Sequence, residues 1–164
     1  MKRLWRISNY DDLRGVGGER WSARWHTREV GKRIVYLAEH PALALIETLV
    51  NLKSGAHDLP THYQLHTIAI DREVASESVA LDGLPLNWRD DLTATRQIGN
   101  EWLKRQSSAL LAIPSAPVPD STNYLLNPLH PDAANLQIIQ SEKIIYDKRL
   151  FRIASEIFPE KMSL

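Results

Sequence analysis

Side chains able to hold an anion crowd one end of the sequence. Residues 1–36 carry Lys2, Arg3, Arg6, Arg14, Arg20, Arg24, Arg28, Lys32 and Arg33, against Asp11, Asp12, Glu19 and Glu29. That is a local excess of +5 within a 164-residue chain whose net charge is zero, so the remainder carries −5. The same segment holds three of the five tryptophans and four of the seven glycines. Arginine forks and aromatic planes together can grip a phosphorylated ligand; a solvated basic face is the alternative reading of such a stretch. Glu47 falls at the edge of an apolar helical stripe, just beyond Leu43 and Val50, where a carboxylate looks into a groove beside the core. Ser115 sits within Pro114-Ser115-Ala116-Pro117-Val118-Pro119, an extended, rigid turn that can hold a hydroxyl in place.

Other chemistries find no support. There is no cysteine, which excludes disulfides, thiol nucleophiles and thiolate metal sites. The six histidines, His26, His40, His57, His62, His66 and His130, form no H-E-x-x-H, and His62 and His66 lie four apart along a strand start rather than on one helical face. A G-x-S-x-G elbow, a P-loop and a G-x-G-x-x-G after a strand are all missing. The Gly15-Val-Gly17-Gly18 cluster reads better as a flexible turn than as a phosphate loop. A neutral chain disfavours a direct nucleic-acid partner. No apolar run approaches the ~20 residues of a membrane span, and no signal-peptide h-region follows the N-terminus, so a cytoplasmic setting is expected.

The elements that must position these groups are short. Strands are expected at Arg3–Ile7, from Arg24-Trp25-His26, at Arg33–Ala38, Tyr63–Asp71 and Val74–Leu81. Further strands are expected at Ala109–Ile113, Thr122–Leu126, Leu136–Ile139 and Lys143–Asp147. A helix over about His40–Lys53 begins with Pro41 at its first position. A second lies within Asn87–Gln106, weakened by Gly99 and with a break near Thr93–Thr95. Ser54–Pro60 reads as a linker loop, and the tail from Arg149 as a short helix. Short strands with two helices among them give a single α+β domain over residues 1–164, not an alternating βαβ fold.

In order along the chain stand Arg24-Trp25, a strand ending Val35-Tyr36, Ala42-Leu-Ala-Leu-Ile-Glu47, Thr95-Arg-Gln-Ile-Gly99 and Trp102-Leu103. They are followed by Ile113-Pro-Ser115-Ala116, Asn123-Tyr-Leu-Leu-Asn-Pro128, His130-Pro131 and Tyr146-Asp147-Lys-Arg149-Leu150. This series resembles the RES domain across nearly the whole chain. The family's G-G-R-W-N reads Ser22-Ala23-Arg24-Trp25-His26 here, Thr27–Arg33 is slightly longer than the family pattern, and Arg20-Trp21 is a second R-W pair.

The resemblance implies a fold like that of ADP-ribosyltransferases and a toxin that cleaves the nicotinamide–ribose bond of NAD⁺, by hydrolysis or phosphorolysis. Transfer of ADP-ribose to a host protein is the alternative. It implies Arg24, Glu47 and Ser115 as the catalytic set, Tyr36 as the aromatic partner, and Arg6 as a second phosphate binder, with Arg20 as the fallback for Arg24. His130 and Asn127 are expected to support their loop. NAD⁺ is then a substrate, inorganic phosphate a potential co-substrate, and no prosthetic group is needed. The implied partner is an Xre-like helix-turn-helix antitoxin, with a homodimer or a toxin–antitoxin hetero-oligomer both open. The residue types suit this chemistry, because a carboxylate beside the ribose stabilises an oxocarbenium-like centre. No E-x-E pair of the kind some transferases use is present; Glu73 and Glu77 are four apart.

Overall fold

The computed structural model describes residues 2–52, 60–71 and 74–151. The Ser54–Pro60 linker up to residue 59, His57, Glu73 and the tail beyond residue 151 lie outside the described residues. Seven strands form one mixed sheet: β1 (Lys2–Ile7), β2 (Val35–Ala38), β3 (His62–Ile70), β4 (Ser76–Ser78), β5 (Leu110–Pro114), β6 (Thr122–Leu126) and β7 (Leu136–Ile145). Their order is β4-β5-β6-β2-β1-β3-β7, and every pairing is antiparallel except β4 with β5. The helices are α1 (Gly17–Arg20), α2 (Pro41–Val50) and α3 (Leu92–Arg105), with 3₁₀ turns at Leu81–Gly83 and Pro131–Asn135. The architecture is α+β, as expected. None of the described helices is long and apolar enough to cross a membrane.

Strand alternation divides the core in two. Val35, Leu37, Leu110, Tyr124 and Leu126 point to one face, where they join Leu4, Ile68 and Leu136. Their neighbours Leu111, Ile113 and Leu125 point to the other, with Tyr36 packed alongside, and meet Trp25, Trp88, Trp102 and Leu103. The second face is roofed by α3, whose Trp102 is buried with its indole N–H donating to Ser108 Oγ at 2.9 Å. α2 covers the same face nearer β1, packing Leu43 and Ala44 on Ala38, Trp5 and Ile7. A gap between α2 and α3 is left over the middle of the sheet.

Both helices start where side-chain chemistry dictates. His40 caps α2, its Nδ1 accepting the Ala42 N–H at 3.1 Å ahead of Pro41 in the first turn. Asp91 caps α3 by accepting the Thr93 N–H at 2.8 Å, and Gln106 ends it in the left-handed region at φ 51°. This cap makes α3 begin at Leu92 and run unbroken through Thr93–Thr95, where the sequence suggested a break.

Three further expectations are corrected. Leu136–Ile139 and Lys143–Asp147 are parts of one strand, because β3 supplies continuous partners from His62 to Ile70 with a bulge at Thr67/Ile68. Val74–Leu81 yields only the three-residue β4 before a 3₁₀ turn. Arg24-Trp25-His26 is not a strand. It lies in a tight turn closed by the Ala23 N–H donating to His26 O at 3.0 Å.

With no sheet partner, this turn is held by α3. Thr95 Oγ1 donates to Arg24 O at 2.7 Å, Arg96 Nε donates to Ala23 O at 2.9 Å, and Asn100 Oδ1 accepts the Thr27 N–H at 3.1 Å. Gly99 lets the backbones touch: a Cβ built there would stand 1.8 Å from Trp25 O. In an isolated helix Gly99→Ala would add about 1 kcal/mol of stability. Here the expected sign is reversed, with a loss of roughly 2 kcal/mol or more from the forced separation of α3 and the turn. Thermal and urea denaturation of the variant measure this; an unchanged or raised midpoint would refute the close packing.

Candidate active site: a carboxylate in an arginine-lined cleft

The gap between α2 and α3 is a cavity of about 900 Å³. Its floor is the sheet, through Trp5, Tyr36, Ala38, Ile113 and Asn123; one wall is the C-terminal half of α2, with Glu47, Thr48 and Val50; the other is the Ser22–Trp25 turn with Arg89, Leu92 and Arg96. The register explains the floor. Tyr36 faces Leu125, and Ala38 faces Asn123, which in turn faces Ile113, so alternate residues of adjacent strands share this side.

Glu47 is the single acidic side chain among the cavity-lining residues. Its Oε1 accepts from Ser115 Oγ at 2.7 Å and from Asn123 Nδ2 at 2.5 Å. Ser115 Oγ also accepts the Val118 N–H at 3.2 Å, so the proline-rich turn is closed by the same hydroxyl. Ser115 is buried, at 2% exposure, and Asn123 nearly so, at 8%. Both ligands of the carboxylate are therefore fixed, and α2, the end of β5 and β6 are tied at one oxygen. Oε2 accepts no hydrogen bond from the described residues and is left for a ligand.

Four arginines line the cavity: Arg6, Arg24, Arg89 and Arg96. Each is anchored by a backbone carbonyl. Arg6 Nη1 donates to Asp12 O at 2.9 Å, Arg24 Nη1 to Trp88 O at 3.3 Å, Arg89 Nε to Ala116 O at 3.2 Å, and Arg96 Nε to Ala23 O at 2.9 Å. None of the four forms a salt bridge among the described residues. Carbonyl anchors orient a guanidinium without neutralising it, which leaves the cleft strongly positive. Arg89 also stacks 4.7 Å over the Trp88 ring. Burial holds the Arg6 pKa below its ordinary value, opposed by the nearby Asp12 carboxylate.

The structure thus brings Glu47, Ser115, Arg24, Tyr36 and Arg6 to one place, with Ser115 behind Glu47 rather than in the cavity lining. Arg20 is different. It is exposed on α1 and is not among the cavity-lining residues, whereas Arg24 is. The Gly15–Gly18 cluster also lies outside the cleft. Gly15, at φ +67°, turns the chain so that its carbonyl accepts the N–H groups of Gly18 and Ile34. Asn127 Oδ1 accepts the Leu129 N–H and His130 Nδ1 the Asp132 N–H, both within their own loop. Asn123, Arg89 and Arg96 were not singled out in the sequence. Asn123 carried a signal, a polar residue on the inward parity of the apolar strand Asn123–Leu126. Arg96 stood within the motif Thr95-Arg-Gln-Ile-Gly99 without a role assigned to it, and nothing local marks Arg89 as different from other surface arginines.

The RES-domain family model matches residues 3–147. The chain belongs to the RES-domain family. It is 43% identical over 148 residues to a Pseudomonas putida protein named Toxin Res, covering 90% of this chain and 99% of that one. It is 41% identical over 161 residues to a Sphingobium protein named Prs ADP-ribosylating toxin, covering 92% and 98%. Among solved structures, its fold is similar to the crystal structure of the M. tuberculosis MbcT-MbcA toxin-antitoxin complex, with a TM-score of 0.70 at 19% identity over 93% of this chain and 87% of that one.

In this RES domain the Glu47 clamp is also a stability element. Ser115→Ala removes a donor to a carboxylate and the acceptor of the Val118 N–H. The expected cost is about 1–3 kcal/mol in urea denaturation. A neutral result would show that the clamp does not constrain the fold.

Proposed function

We propose that this RES domain is the toxin of a toxin–antitoxin pair and that it cleaves the nicotinamide–ribose bond of NAD⁺. The observation that supports this most is one carboxylate, clamped on a single oxygen, in a cleft lined by four arginines that form no salt bridge among the described residues. Two phosphates of a dinucleotide suit the guanidinium forks of Arg24 and its neighbours. Tyr36, on the floor, offers a ring for the nicotinamide. Breaking the C1′–N bond sends its electron pair to the nicotinamide nitrogen and leaves positive charge on the ribose carbon and ring oxygen. The free Oε2 of Glu47 stabilises that charge and holds a ribose hydroxyl. Water attacking the carbon gives ADP-ribose and a proton; inorganic phosphate gives ADP-ribose-1″-phosphate. Ser115 acts by orienting Glu47, since its hydroxyl already donates to the carboxylate and is buried behind it rather than in the cavity lining.

A second reading is transfer of ADP-ribose to a host protein, favoured by the similarity to the Sphingobium protein named Prs ADP-ribosylating toxin. Glu77 does not supply a second glutamate to the cleft: it lies on β4, bound by Arg105, Ser107 and Ser108. In either reading the inhibiting partner is an Xre-like antitoxin that closes the cleft, and the setting is the cytoplasm.

Incubation of the protein with NAD⁺, with and without phosphate, and mass spectrometry of the products tests this. Free nicotinamide with one of the two ADP-ribose products is expected, and Glu47→Gln should slow its release by a factor on the order of 10²–10³. ADP-ribose appearing on one host protein, with no free sugar product, would replace the first reading by the second. Full activity of Glu47→Gln would overturn both.

A further inference from the structure

His26 is buried at 3% exposure just behind the floor of the cleft, and both ring nitrogens are engaged. Nε2 lies 2.9 Å from Trp21 O. A carbonyl only accepts, so Nε2 carries a proton. Nδ1 lies 2.9 Å from the Tyr36 hydroxyl, and in a neutral imidazole it then has only a lone pair to offer. The Tyr36 O–H must therefore donate to it. The Trp25 N–H donates to the same oxygen at 3.3 Å. Tyr36 is left with one lone pair and no free proton.

We propose that His26 is a positioning residue that withdraws the Tyr36 proton from the cleft, so that Tyr36 meets the ligand only as a hydrogen-bond acceptor. It would thereby select a ligand group that donates, such as the N–H of a carboxamide or the O–H of a ribose. This deepens the reading of the site as one for NAD⁺ and rests on it.

The charged groups facing the pair are cations: Lys32 from the loop before β2, Arg96 from α3 and Arg24 from the turn. Burial, with Lys32 and Arg96, lowers the His26 pKa from its usual 6.5, against opposing backbone hydrogen bonds to Trp21 and Gly18. Burial likewise raises that of Tyr36. Both are neutral at pH 7. On acidification, His26 Nδ1 would gain a proton and donate to Tyr36, turning the hydroxyl proton outward and making Tyr36 a donor. Because burial lowers the His26 pKa in the folded protein, ligand binding should weaken only at a pH below the ordinary imidazole range. The unfolded chain takes up this proton first, so stability should already fall as pH drops below about 6.5 and level off once the folded-state His26 is protonated.

The test combines NMR with kinetics. In ¹⁵N-labelled protein at pH 7.5, long-range correlations should show the Nε2–H tautomer of His26, and Tyr36→Phe should shift the Nδ1 resonance by removing its donor. An Nδ1–H tautomer overturns the proposal whether or not NAD⁺ is cleaved. For nicotinamide release, His26→Ala should lower kcat/KM about tenfold, mainly through KM, as expected for one misdirected hydrogen bond. His26→Asn keeps an acceptor at the Nδ1 position and should restore most of the loss, without the acid dependence of KM. In a Tyr36→Phe background, His26→Ala should cost nothing further. An equal loss in both backgrounds, or no rescue by asparagine in a variant that melts like the parent, would make His26 structural only. Absence of nicotinamide release by the unmutated protein would remove the NAD⁺ reading, and the NMR result alone would then decide the role of His26.

Discussion

The contact between Gly99 and the Trp25 carbonyl is the constraint on which the cleft depends. The Ser22–Thr27 segment belongs to no strand, yet it carries Arg24 and supports Tyr36 through Trp25 and His26. Its backbone polar groups need partners, and a buried turn without them would be costly. α3 supplies them through Thr95, Arg96 and Asn100, all within one and a half turns of the same helix. Only a residue without a side chain at position 99 allows the two backbones to come that close. A glycine that weakens the helix thus fixes one wall of the cavity.

The opposite wall is fixed by different means. α2 would be an ordinary amphipathic helix were it not for Glu47, which stands half-buried beside the core. Two side chains from separate places, Ser115 on the proline-rich turn and Asn123 on β6, converge on one of its oxygens. The same bonds hold the carboxylate at the edge of the cleft and tie α2 to the sheet, so the helix cannot slide along the sheet without uncoupling the charged group from its supports.

Electrostatically the two walls are unequal by design of the anchors. One side offers a single negative charge, while four guanidinium groups are steered by carbonyl oxygens. Of the acidic residues outside the first thirty-six, Glu47 alone is among the cavity-lining residues, so the surplus does not cancel them; Glu77 holds Arg105 and two serines, and Asp147 holds Arg149. A chain that is neutral in total can therefore present a strongly positive cleft.

Much of this was legible without coordinates. The α+β class, the helix opened by Pro41, most of the strands, and Glu47 and Arg24 as candidates for one site follow from local patterns: spacing, capping and the ordered series of short motifs. Residue-level patterns fail where a position's meaning depends on a distant partner. Arg20-Trp21 and Arg24-Trp25 are nearly the same in sequence, and only α3 decides which arginine enters the cleft. Asn123 and Ser115 become ligands of Glu47 because β6 and β5 are neighbours, a pairing no local signal encodes. β7 is one strand rather than two because β3 runs the length of it. The sequence by itself determined the chemical inventory and the elements that carry it, since those depend on side-chain type and short-range periodicity. Which groups share a cavity, and which way the Tyr36 proton points, was decided only by long-range packing and by the hydrogen-bond partners that packing leaves available.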